Sequence, residues 1–180
     1  MGKQISTKKF TSNIVLSIAA QVVSLAVSFI MGLIVPKYIS DYSYAYWQMY
    51  VMYSGYVGVL HFGLLDGLVL RYGSYDYDEL EKKRIRSQFQ FLLVITSAVA
   101  LCLGAVSIGF MQEQESIVFL LVAVSIILKN ITTFNSDIFQ ITNRINRYVI
   151  VIIAQRVVYG LIVALLLIFR VNDFYWYCIA

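Results

Sequence analysis

The sequence predicts an all-α polytopic membrane protein, with five complete transmembrane helices and the start of a sixth. Three observations carry that prediction. Hydrophobic residues make up 60% of the 180 and charged ones only 13%, against about 25% in a soluble globular domain. Charge-poor runs of bilayer-spanning length recur along the chain. Lys and Arg gather in alternate connections, the pattern of a chain threaded back and forth through a bilayer.

A hydrocarbon core of ~30 Å needs ~20 helical residues at a rise of ~1.5 Å each. Spans are expected at 14–35, 42–65, 87–111, 116–137 and 148–169. A sixth run, 174–180, is too short to cross, and no polar tail follows it, so the sequence reads as truncated. Together these form a single transmembrane domain over residues 1–180.

The first span follows Lys3, Lys8 and Lys9, which resemble the basic start of a secretory signal. Its apolar stretch runs on to Pro36 and Lys37 without a small-residue cleavage site, longer than the ~7–15 residues of a signal core. It is read as an uncleaved anchor. Along it, Asn13, Ser17, Gln21, Ser24 and Ser28 recur at helical spacing and form one stripe. A stripe of small and polar groups faces other helices or water, not lipid. Close packing would explain the serines; the carboxamide of Gln21, with several donors and acceptors to satisfy, favours a cavity lining.

The second span carries Tyr46, Tyr50, Tyr53 and Tyr56 on one face, with Tyr42, Tyr44 and Trp47 as an interfacial belt at its outer end. Aromatic packing is the simpler account of the deeper tyrosines. The functional account is a wall that stacks against or hydrogen-bonds sugars. At the inner end, Gly63 and Gly67 form a small-xxx-small pair that permits close helix approach. The loop that follows sets Asp76, Asp78, Glu79 and Glu81 ahead of Lys82, Lys83, Arg84 and Arg86. A helix starting near Asp78 would place acids at its positive end and bases at its negative end, as an amphipathic interfacial turn; a solvated loop is the plainer alternative. Between the third and fourth spans, Gln112–Glu115 forms a tight turn without a base.

Counting bases by connection gives the orientation. Lys3, Lys8 and Lys9, then Arg71 and the bases from Lys82 to Arg86, then Lys129, Arg144 and Arg147 share one side; Lys37 and Arg170 hold the other. The base-rich side is cytoplasmic by the positive-inside rule, and the N-terminus with it. The sequon Asn130-Ile131-Thr132 lies near that face and is discounted as a glycosylation site.

Arg156 is the first functional suspect. It sits mid-run in the fifth span, about eight residues or roughly 12 Å from the inner end, beside Gln155. A lipid-facing arginine at that depth costs roughly 2.5–3.5 kcal/mol on translocon scales, so it should face protein or a watery cavity. There its planar fork of donors suits phosphate. Lys129 could equally snorkel to the surface or line the same cavity. Cys102 and Cys178 read as buried small hydrophobes, and the single histidine, His61, as a packing or hydrogen-bonding group. No disulfide framework, metal-ligand cluster, Ser-His-Asp arrangement or glycine-rich phosphate loop is present in the sequence, so no cofactor is expected.

Three stretches carry a family resemblance. Asn13 to Gln21 followed by Val35-Pro36-Lys37-Tyr38-Ile39, the segment from Gly63-Leu64-Leu65-Asp66-Gly67 through Leu70-Arg71-Tyr72-Gly73 to Ser87-Gln88-Phe89, and Gln140-Ile141-Thr142-Asn143-Arg144 through Tyr148 to Gln155-Arg156 are similar to the N-terminal part of the Wzx-type lipid-linked oligosaccharide flippases, in the polysaccharide biosynthesis and export branch of the MATE-like superfamily. The resemblance implies most of the N-terminal lobe of a 12–14-helix transporter. It implies rocker-switch access and a cationic cavity for the pyrophosphate of a polyprenyl-linked glycan, for O-antigen or other surface polysaccharide. The setting would be a bacterial or archaeal inner membrane, with membrane lipids around the protein, H+ or Na+ as candidate coupling ions and glycan polymerases as candidate partners; nothing points to nucleic acid. Arg71 and Arg156 carry over by motif position. With Lys129, Gln21 and Tyr53 they form the candidate substrate-binding set.

Two other classes compete. A MATE-type drug or cation antiporter needs intramembrane acids, and the first, third and fifth spans have none. A membrane enzyme acting on lipid-linked sugars usually needs a sizeable external loop, and none is visible. A structural subunit of a glycan assembly complex would leave Arg156 unexplained.

Overall fold

A computed structural model describes residues 7–180 apart from Phe62, Ser74 and Asp76, with side chains from Thr11 onward. Lys3 and Asp76, and the side chains of Lys8 and Lys9, therefore lie outside the described residues. The fold is all-helical, with no strand among the described residues: α1 (Thr7–Ile34), α2 (Asp41–Gly55), α3 (Leu64–Tyr72), α4 (Lys82–Phe110), α5 (Glu113–Ile141), α6 (Ile145–Ile168) and α7 (Phe174–Ile179). Of these, α1, α4, α5 and α6 are long and apolar enough to cross a bilayer, and α2 with α3 makes a fifth if the bent pair is one span. The outward faces are apolar, with Leu70 and Phe110 each 88% exposed. Such surface is stable where lipid is the solvent. Cys102 belongs to that exposed surface, so its expected burial is corrected; Cys178 is buried.

The second span is not the continuous helix expected over 42–65. Helix α2 passes at Gly55 into a single 3₁₀ turn, Tyr56–Val59, and the chain resumes as α3 after a 47° bend. Gly55, Gly58 and Gly63 weaken helix propensity over this stretch. Gly63 takes φ +74°, a left-handed conformation that a side chain would strain. Close helix approach over Gly63 and Gly67 is also corrected, because a Cβ at either would meet open space. Of the two readings of the acidic loop, the helix near Asp78 is reduced to one 3₁₀ turn, Tyr77–Glu79, and α4 starts at Lys82 with no acid in its first turn. Leu80, 6% exposed, is drawn into the core between them and separates the two segments.

Helices α4 and α5 form the most extensive pair, joined by a two-residue turn. Along α4 the buried residues are Leu92, Thr96, Ala100, Gly104 and Ser107, one row at helical spacing. The Thr96 and Ser107 hydroxyls donate to carbonyls of their own helix, Leu92 O at 2.8 Å and Gly104 O at 2.8 Å. The seam therefore closes dry, with its polar atoms satisfied locally. Helix α1 pairs with α6, and α2 with α5 and α7.

Two apolar clusters result. One joins Trp47, Val118, Val122, Val163, Phe174 and Tyr177; the other joins Leu65, Leu68, Tyr72, Leu92, Phe134 and Ile141. On α5 the stretch between Val122 and Phe134 holds Ser125, Lys129 and Asn130, so a polar layer separates the clusters. Asn130, 2% exposed, donates to Ile126 O at 2.8 Å, which removes it from any glycosylation chemistry. Helices α5 and α6 each end in a Schellman turn. Asn143 (φ 55°) and Arg170 (φ 51°) take the left-handed positions, with Arg144 N donating to Phe139 O and Val171 N to Leu166 O.

A candidate cationic site between α1 and α6

The polar stripe on α1 faces α6, and each long polar residue in it has a partner or a cleft. Asn13 Nδ2 donates to Asn143 Oδ1 at 2.7 Å, tying the base of α1 to the α5–α6 turn. Gln21 Nε2 donates to the Tyr148 hydroxyl at 3.2 Å, and Arg156 Nε donates to Ser24 Oγ at 2.6 Å. One Nε–H contact leaves the remaining four guanidinium N–H donors of Arg156 available to water or an anion.

Two open clefts meet at this arginine. The first, about 790 Å³, runs along Ser17, Gln21, Ser24 and Ser28 of α1, with Gln140, Tyr148 and Arg156 opposite. The second, about 470 Å³, is bounded by α1, α2, α5, α6 and α7 and holds Tyr50, Ser54, Ser125, Lys129, Tyr159 and again Arg156. Ser28 and Arg156 line both. No Asp or Glu lines either, so both clefts present positive charge among hydroxyls and amides. Volumes of this size suit a headgroup rather than an ion.

In the second cleft, Lys129 Nζ donates to Ser54 O at 3.0 Å, across from α5 to the end of α2. Ser54 lies in the last turn of α2, where backbone carbonyls lack intrahelical partners and the helix dipole is negative. That contact turns the ammonium inward onto the end of α2. Tyr50 and Ser125 share a hydroxyl hydrogen bond of 2.6 Å on the same wall.

The expected site residues separate into two groups. Arg156, Gln21 and Lys129 come together around the clefts. Tyr53 packs on Phe119 with ring centroids 4.6 Å apart and lines neither. Arg71 is exposed in the last turn of α3, its guanidinium carbon 5.7 Å from the Tyr72 ring centroid, and also lies outside both. Of the tyrosine stripe, Tyr50 is the member that reaches the second cleft; Tyr46 stacks on Phe174 at 5.1 Å and Tyr56 faces outward.

Three further residues stand out without a sequence motif of their own to mark them: Tyr148 and Tyr159, which line the clefts, and Asp137, which does not. The two tyrosines fall one face with Arg156 on α6, at intervals that helical spacing from Arg156 would have found: eight residues before it and three after. Asp137, partly buried on α5, lies within electrostatic reach of His61 and Asp66 near the α2–α3 break. His61 Nδ1 is buried there without a hydrogen-bond partner, so the interhelical bond expected of this histidine is not made through that atom.

Neither a scan against protein-family models nor searches of the curated proteins and of the solved structures find a match to this chain.

Proposed function

We propose that this chain is a lobe of a membrane transporter that moves a polyprenyl-pyrophosphate-linked oligosaccharide across the bilayer. On this reading the α2–α3 pair is one broken span, giving five complete spans in a MATE-like arrangement, with the N-terminus in the cytoplasm of a bacterial or archaeal cell. The observation that carries it is the meeting at Arg156 of two clefts that no Asp or Glu side chain lines, with Lys129 in one of them. A pyrophosphate needs concentrated positive charge and donors in a low-dielectric setting, and a guanidinium beside an ammonium offers both. Hydroxyls and amides along α1 suit the sugars, and the open apolar flanks of the clefts leave the lipid tail in the membrane.

The test is export of surface glycan in cells expressing the protein from its native locus. Arg156→Ala should reduce export at least tenfold at equal protein level, and Arg156→Lys should restore it only in part, since lysine keeps the charge and loses the fork. Wild-type export by Arg156→Ala would remove the arginine from the mechanism.

A second reading, cation or drug antiport, draws on Asp137 beside His61 and Asp66 at a helix break, the kind of place where transporters bind coupling ions. Loss of drug efflux in Asp137→Asn with unchanged surface glycan would favour it.

A further inference from the structure

A third groove, about 290 Å³, lies at the opposite end of the α4–α5 seam from the tight turn, away from the Arg156 clefts. Its rim carries Lys82 and Arg86, four residues apart and so on one face of α4. Its floor is apolar: Phe89 and Phe134, with ring centroids 4.9 Å apart, and Ile138. Tyr77 closes one side, and Arg144 from the α5–α6 turn stacks on that ring with its guanidinium carbon 3.7 Å from the centroid. Two cations thus line the groove, and a third, Arg144, stacks on its Tyr77 wall.

Among the described residues, no carboxylate lines this groove. Two nearby acids lie on the adjoining surface: Glu81 pairs with Arg84 at 3.4 Å, and Asp78 and Glu81 line a neighbouring open groove with Lys83 and Arg84, which shares Leu80 and Lys82 with this one. Lys82 and Arg86 make no ion pair among the described residues. Both walls belong to helices long and apolar enough to cross the bilayer, and the groove sits at their ends, so it opens at headgroup depth. The combination is a charged rim over an aromatic floor. It fits one chemistry, a phosphate headgroup with its acyl chain still attached.

We infer that this groove is a binding site for an anionic phospholipid of the leaflet that the base-rich loops face. Lys82 and Arg86 hold the headgroup phosphate, Arg144 adds positive charge through Tyr77, and one acyl chain lies along Phe89, Phe134 and Ile138. A bound lipid would brace the α4 start against the α5–α6 turn, which also holds the base of α1 through Asn13 and Asn143.

Native mass spectrometry of the purified protein with phosphatidylglycerol or phosphatidylcholine tests this. Wild type should bind phosphatidylglycerol in preference, and the Lys82→Gln/Arg86→Gln pair should weaken that binding about tenfold or more, the scale expected for removing two interfacial cations. Lys83→Gln/Arg84→Gln removes the same formal charge from the same helix turn and should leave binding within about twofold. Ile138→Trp, which fills the floor and keeps every charge, should also lower affinity. Equal losses from both charge pairs would show diffuse electrostatic attraction and overturn the site. So would equal binding of phosphatidylcholine, no loss in the Lys82/Arg86 pair, or undiminished binding in Ile138→Trp.

Discussion

The α4–α5 seam and the α1–α6 face begin from the same sequence device and end as opposites. Each presents a row of small and polar residues at helical spacing: Leu92, Thr96, Ala100, Gly104 and Ser107 on α4, and Asn13, Ser17, Gln21, Ser24 and Ser28 on α1. On α4 every member is buried, and the hydroxyls bond back to their own helix. On α1 the Ser28 hydroxyl does the same, but Asn13, Gln21 and Ser24 reach α6 or its preceding turn, and the space between is open. What differs is what stands opposite. Helix α5 offers apolar side chains, Leu120 beside Gly104 and Phe134 in one cluster with Leu92, whereas α6 offers Tyr148 and Arg156, which cannot be buried dry. A small-polar stripe therefore marks a helix contact, and the facing residue decides whether the contact is dry packing or a lining.

Substitutions can break this comparison, beginning with size. Gly104→Leu should cost about 1–3 kcal/mol in thermal unfolding, because a Cβ at Gly104 already comes within 3.5 Å of Leu120 and the rest of the side chain has nowhere to go. Ser17→Leu, facing the open first cleft, should change stability by less than about 0.5 kcal/mol. A matching loss there would mean that α1 packs as tightly as α4.

Polar partners give the next effect. Ser24→Ala removes the hydroxyl that accepts from Arg156 and should cost about 1 kcal/mol, with water in the cleft replacing part of the bond. Thr96→Val should cost less, about 0.5 kcal/mol, because that hydroxyl serves only its own backbone and valine keeps the shape. Chemical unfolding of the two variants in one detergent sharpens the contrast; a larger loss at Thr96 would reverse it.

Much of the fold was legible because lipid imposes simple rules. Length and apolarity located α1, α4, α5 and α6 to within a few residues at most ends, and the paucity of charge made the outward faces readable. The break in the second span is not legible because hydropathy does not register glycine-permitted backbone, and the bend over Gly55–Gly63 is a φ/ψ event inside an apolar run. Charge order left two readings of the stretch before α4 open, and the burial of Leu80 separates its short acidic turn from the helix that starts at Lys82.

The candidate site was legible where a residue is costly in lipid. Arg156, Gln21 and Lys129 must each find partners, and they converge. Tyr53 and Arg71 are less constrained: a tyrosine ring gains much of its stabilisation from packing, as Tyr53 does on Phe119, and an arginine at a helix end reaches water. Asp137 went unremarked because the charge-poor run was read as ending near it, and its neighbours His61 and Asp66 lie more than seventy residues away in sequence.

The central claim is that the α1 stripe and Arg156 line a hydrated cavity while the equivalent stripe on α4 is dry. Single cysteines at 17, 21 and 28, and at 96, 100 and 104, in a Cys102→Ala/Cys178→Ala background, can be labelled in membranes with a charged methanethiosulfonate reagent. The three α1 positions should react and the three α4 positions should stay silent. Silence along α1, or equal labelling of both helices, would contradict the account.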